Sequence, residues 1–157
     1  MKEKMSIQAL AAGGIIAALY VALTMLFAPI SFGQIQFRIS EALTLLPVLS
    51  VSSVPGLFVG CLLSNLIAGQ PWQDVVFGSL ATLVAAILTR QFRKNIWLAA
   101  LMPVVMNAAV IGLMLHFVYG LPLYISFLTV GAGQALVCYL LGVPMVKVLE
   151  SRKINLY

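Results

Sequence analysis

Residues 7–28 and 42–68 contain no charged side chain, and neither do residues 75–89, 96–117 and 123–146. A helix of about 18–20 apolar residues crosses a bilayer. Inside lipid the backbone must satisfy its own hydrogen bonds, which leaves helices and closed barrels. Runs this long are helical in character. The chain is 62% hydrophobic and 8% charged, more apolar than a soluble domain of this size requires. The expectation is an all-α integral membrane protein with one membrane domain over 1–157. The net charge of +5 then reports orientation, not nucleic-acid binding.

The first apolar run is too long for a signal peptide, and no small-x-small cleavage pattern follows it. It reads as a membrane helix over 7–28. The block over 42–68 is interrupted by Ser52, Ser53, Val54, Pro55 and Gly56, a strong turn signal. Lysine and arginine cluster at 2 and 4, at 90, 93 and 94, and at 147, 152 and 153. Two short helices in the block put all three clusters on one side, whereas one long helix splits them. The positive-inside rule favours two. The expected helices are therefore 7–28, 41–53, 55–68, 74–89, 96–117 and 123–149, six in all, in a multi-pass cell-membrane protein with both termini cytoplasmic. Each half of the divided block covers only about 20 Å as α-helix.

Arg38 is then the one basic residue on the outer side. It lies in residues 31–47, a polar and aromatic stretch between two apolar runs, three positions before Glu41. Charge at membrane depth marks a functional site by default. Phe32, Gln34, Gln36 and Phe37 precede the pair, and Gln70, Trp72, Gln73 and Asp74 occupy the next outer loop. Asn65, Asn107 and Gln134 are amides inside apolar helices. Rings and hydrogen-bonding groups gathered on one side suit a flat, polar small molecule. The candidate substrate-binding residues are Phe32, Gln36, Arg38, Glu41, Asn65, Trp72, Asp74, Asn107 and Gln134.

Plainer roles exist for each. Arg38 and Glu41 can pair with each other, and Asp74 can cap a helix. Trp72, Tyr119 and Tyr124 can anchor at the interface, and the amides can bridge helices. His116 is a hydrogen-bonding or interfacial group before it is a ligand. Gly14, Ala18 and Ala22 form a small-residue stripe for close helix approach, either within the chain or to a partner. Cys61 and Cys138 stand far apart, with no CxxC or histidine cluster to suggest a disulfide or metal site. A phosphate-binding loop and an HExxH motif are absent, so neither ATP hydrolysis nor enzymatic chemistry is expected, nor any cofactor.

The stretch Ile-Gln-Phe-Arg-Ile-Ser-Glu-Ala-Leu-Thr at 35–44 resembles the queuosine-precursor transporter family, QueT. Ala-Leu-Tyr-Val-Ala-Leu-Thr at 18–24, Pro-Gly-Leu-Phe-Val-Gly-Cys at 55–61, Phe-Gly-Ser-Leu-Ala-Thr-Leu at 77–83 and Tyr-Gly-Leu-Pro at 119–122 are similar to it too. The resemblance covers nearly the whole chain. It implies a six-helix substrate-binding (S) component of an energy-coupling factor transporter. Such a component works with a membrane coupling subunit and two ATPase subunits, and docks through the stripe at Gly14, Ala18 and Ala22. The implied ligand is a 7-deazaguanine: preQ0, preQ1, queuine or its nucleoside. Similar sequences often carry glutamate at the positions of Met114 and Gln134, which a cationic aminomethyl group would want.

The chemistry fits such a base. One carboxylate, Glu41 or Asp74, accepts its paired N–H groups; an amide, Gln36 or Asn107, reaches the O6 side; a ring, Trp72 or Phe32, stacks on the plane. Two alternatives stay open: an S component for another vitamin-like ligand, and a stand-alone secondary transporter. No repeat supports the latter.

Overall fold

The structure, a computed structural model, describes residues 7–32 and 37–152. The described residues are helical, without strands. Among the described residues, four helices are long and apolar enough to cross a membrane: Ile7–Leu26, Asp74–Gln91, Ile96–Tyr119 and Leu123–Ser151. Two shorter apolar helices, Ile39–Val48 and Ser53–Ile67, lie between the first two. We label the α-helices α1 (Ile7–Leu26), α2 (Ala28–Ser31), α3 (Ser53–Ile67), α4 (Ser79–Gln91), α5 (Ile96–Tyr119), α6 (Leu123–Val137) and α7 (Val143–Ser151). A π-helical turn at Asp74–Gly78 leads into α4, and another at Cys138–Gly142 joins α6 to α7. Large apolar side chains such as Leu10, Leu26, Leu128 and Leu140 are exposed, as befits surfaces that face lipid.

The segment expected as an α-helix over 41–53 is a 3-10 helix over Ile39–Val48. A 3-10 helix rises about 2.0 Å per residue, against 1.5 Å for an α-helix. The tighter coil carries ten residues about as far as thirteen would go in an α-helix. The element thus covers the same distance of about 20 Å that the sequence implied, short of a hydrocarbon core of about 30 Å. Every residue from Ser40 to Val48 is buried, so the segment runs through the centre of the bundle. Its end is capped from α4, where Arg90 donates from one guanidinium nitrogen to the carbonyls of Pro47 and Val48, each at 3.1 Å. Those are carbonyls that a helix end leaves unpaired.

Behind the 3-10 helix, α1 and α3 cross in contact. A Cβ added to Gly56 would stand 2.5 Å from the Gly13 carbonyl oxygen, and one on Gly60 would stand 2.8 Å from Cβ of Tyr20. Glycine at these two places is what lets the backbones touch. The inward face of α1 is thus Gly13, Ile16, Ala17, Tyr20 and Thr24. Gly14, Ala18 and Ala22 lie on its exposed side, so the stripe seen in the sequence is not what packs α1 onto its own chain. Gly69 and Gly120, each with φ in the left-handed region (64° and 68°), terminate α3 and α5. A side chain is strained there, and glycine is not.

A buried carboxylate at the meeting point of four helices

The 3-10 helix brings Glu41 to the centre of the bundle, where only 3% of its surface is accessible. Its carboxylate is met by three neutral donors from three helices. The Tyr20 hydroxyl of α1 donates to Oε1. Oε2 accepts from Asn107 Nδ2 of α5 at 3.4 Å and from Gln134 Nε2 of α6 at 3.1 Å. A carboxylate deep in a low-dielectric bundle is costly unless hydrogen-bonded. Here the bonds are supplied by segments far apart in sequence, so folding and site assembly are one event.

Arg38, buried at the start of the 3-10 helix, lies close by. Its Nε donates to the Ser31 carbonyl at 3.3 Å, and its guanidinium carbon sits 4.9 Å above the Phe32 ring. Among the described residues no ion pair joins Arg38 to Glu41; each has its own partners. Together with Asn107 and Gln134 they line a small cavity, whose other walls are Gly78, Thr82, Ile111 and Val130. The cavity holds about 20 Å³, room for about one water. A guest the size of a purine enters only if the walls part.

The remaining candidates fall elsewhere. Asn65, fully buried on α3, donates to the Asp74 carbonyl at 3.3 Å, while its Oδ1 has no partner. It stands behind Gly78, whose added Cβ would approach Asn65 Nδ2 to 3.2 Å. Asp74 is buried in the π-helical turn and accepts the Tyr119 hydroxyl at 3.1 Å. Both form a layer behind the cavity wall. Trp72 is 66% exposed and packs only loosely on Phe77, ring centroids 6.5 Å apart, so it does not reach the cavity. Gln36 lies outside the described residues, as does Gln34. His116 bonds the Leu121 carbonyl through Nδ1 at 2.7 Å, a local tie in the turn after α5. Met114 sits in an apolar cluster with Ile111, Leu115 and Val130.

Tyr20 was missed by the sequence reading. A phenol hydroxyl within an apolar helix needs a partner when buried, which was the available signal. Thr82 and Gly78 gave none, because their place on the wall depends on the π-helical turn.

Four long apolar helices around a buried, hydrogen-bonded carboxylate and a small polar cavity define a multi-pass membrane protein with a polar site at its core. A family model described as "QueT transporter" matches residues 10–151, and the chain belongs to that family. A relative described as "Queuosine precursor transporter QueT", from Lactococcus lactis subsp. cremoris (strain MG1363), is 43% identical over 72 residues. That match covers 45% of this chain and 42% of the relative's own length. No solved structure matches the chain.

Proposed function

We propose that this chain is the substrate-binding membrane component of an energy-coupling factor importer, and that it takes up a queuosine precursor or a related 7-deazaguanine through the Glu41 cavity. The observation that carries this reading is the convergence of Arg38, Glu41, Asn107 and Gln134 on one cavity in a chain of the QueT family. A deazaguanine carries two adjacent N–H donors next to a carbonyl acceptor. The cavity offers acceptors beside a cation, which matches that edge. Asn65 and Asp74 support the wall against which the base would lie. Phe32, held under the Arg38 guanidinium, is a better stacking candidate than Trp72.

Delivery across the membrane needs a second function, docking on an energised partner. Gly14, Ala18 and Ala22 face outward, and apolar grooves flank α1 on both sides of that stripe. One is lined by Gly13, Gly14, Pro55 and Gly56, the other by Ile15, Leu19, Leu43 and Met145. A membrane coupling subunit bearing two ATPases is the partner we assign to this face. Six membrane segments with both termini in the cytoplasm follow if the 3-10 helix and α3 each cross. Arg90, which caps the 3-10 helix, then marks the inner side by the positive-inside rule.

Two experiments test this reading. The purified chain should carry a 7-deazaguanine identifiable by mass spectrometry; a different vitamin-like molecule there would reassign the ligand. Cysteines introduced at Gln34 and Gln73 should react with an impermeant thiol reagent in intact cells, and one at Asn95 should not. Equal labelling of all three would overturn the six-segment topology.

A further inference from the structure

The hydrogen bonds around Glu41 carry information about which part of a ligand the cavity reads. A carboxylate oxygen that is bonded by an amide accepts from it, so the amide turns its NH₂ group toward that oxygen. Asn107 and Gln134 both do so, toward the same oxygen, Oε2. Gln134 Nε2 also lies 3.5 Å from the Cys138 sulfur. The amide oxygens of both residues must therefore point away from Glu41. The other carboxylate oxygen, Oε1, is taken by Tyr20, so most of the acceptor capacity of Glu41 is used within the protein. Both amide residues line the cavity, as does Arg38.

We propose that Glu41 is a positioning residue, fixing the amides of Asn107 and Gln134 so that a ligand meets their carbonyl oxygens as a pair of acceptors beside the Arg38 guanidinium. This rests on the reading of the cavity as the ligand site given above. Its consequence is selection by hydrogen-bond polarity. A heterocycle edge with two N–H donors next to a carbonyl oxygen pairs with every group. An edge with a ring-nitrogen acceptor in the middle, as in an adenine, sets a lone pair against a carbonyl oxygen. Sites that hydrogen-bond a substrate group reject analogues lacking it by several orders of magnitude. The base preference thus resides in residues on α5 and α6, while Glu41 sets it from the 3-10 helix without taking the ligand's donors itself.

The test is a double-mutant cycle read with two probes, 7-deazaguanine and 7-deazaadenine, on the purified full chain in detergent. Melting temperature reports folding throughout. Wild type should prefer 7-deazaguanine by about 100-fold or more. Gln134→Met keeps the shape and removes the carbonyl acceptor, so affinity for 7-deazaguanine should fall about 10–100-fold, a charge-free hydrogen-bond loss plus an unpaired ligand donor. Glu41→Gln frees both amides to turn, so affinity should fall similarly and the base preference should shrink. The combined variant should lose little more than either alone, because Gln134 without Glu41 no longer presents its oxygen reliably. Asn107→Leu replaces Gln134→Met in the cycle if the latter fails to fold. Undiminished or tighter binding by a folded Gln134→Met would mean that Glu41, released from the amide, contacts the ligand itself, and would overturn the assignment. So would losses that multiply in the combined variant. If wild type binds neither probe, the proposed function itself fails, and this assignment with it.

Discussion

Glu41→Leu should abolish measurable binding of a 7-deazaguanine and lower the melting temperature of the purified chain by several degrees. The substitution removes the acceptor for the Tyr20 hydroxyl and for the amide groups of Asn107 and Gln134 at once. A buried donor left without a partner costs about 1–3 kcal/mol. Some of that returns as the amides rotate toward each other, so a net loss of about 3–5 kcal/mol is expected for the network. Against a typical stability of 5–15 kcal/mol for a folded domain, this is large. Leucine fits the volume, so the effect tests the hydrogen bonds more than the packing. A thermal scan and a binding titration on the same sample check both parts. A variant that melts like wild type and binds normally would show that this carboxylate neither holds the bundle nor serves the site.

Ala18→Leu and Ala22→Leu should produce the opposite pattern. Both positions are exposed on α1, so leucine meets no packed neighbour on the inward face, which belongs to Gly13, Ala17 and Tyr20. Folding and ligand affinity should stay within about twofold of wild type. Uptake in cells expressing the coupling and ATPase subunits should fall at least tenfold, because a bulky side chain holds a partner helix away from a surface built for close approach. The measurement is accumulation of labelled precursor beside binding by the same variants. Normal uptake by both variants would remove the docking role from this face. Lost binding would return the stripe to internal packing, against the exposure seen here.

The helical character and the four long apolar helices were legible in the runs of uncharged residues, because bilayer thickness sets helix length directly. The form of the 39–48 segment was not. It is only ten residues long and buried on nearly every side, so hydrophobic periodicity could not separate an α-helix from a 3-10 helix. The site was legible as a set of residue types and only partly as a place. Arg38 and Glu41 stood out as charges between two apolar runs, Asn107 and Gln134 as amides within apolar helices, and the structure brings these four to one cavity. Asn65 drew notice as an amide in an apolar helix and Asp74 from its outer loop, yet both stand one layer back, where Asn65 donates to the Asp74 carbonyl and Tyr119 to the Asp74 carboxylate. Trp72 was read from its loop; the structure puts it on the helical turn before Asp74, with its ring exposed. The pairing of Glu41 with Tyr20 spans twenty-one positions and depends on α1 packing against the 3-10 helix.

The reading of the cavity as a base-binding site is tested most directly by titrating the purified chain, without ATP and without partner subunits, with a 7-deazaguanine base and following the heat of binding. The account predicts saturable one-to-one binding, lost in Glu41→Leu. It also predicts a slow, concentration-independent step in stopped-flow traces, because a cavity of about 20 Å³ must open before a base can enter. No saturable binding by a folded chain, or equal binding by wild type and Glu41→Leu, would contradict it.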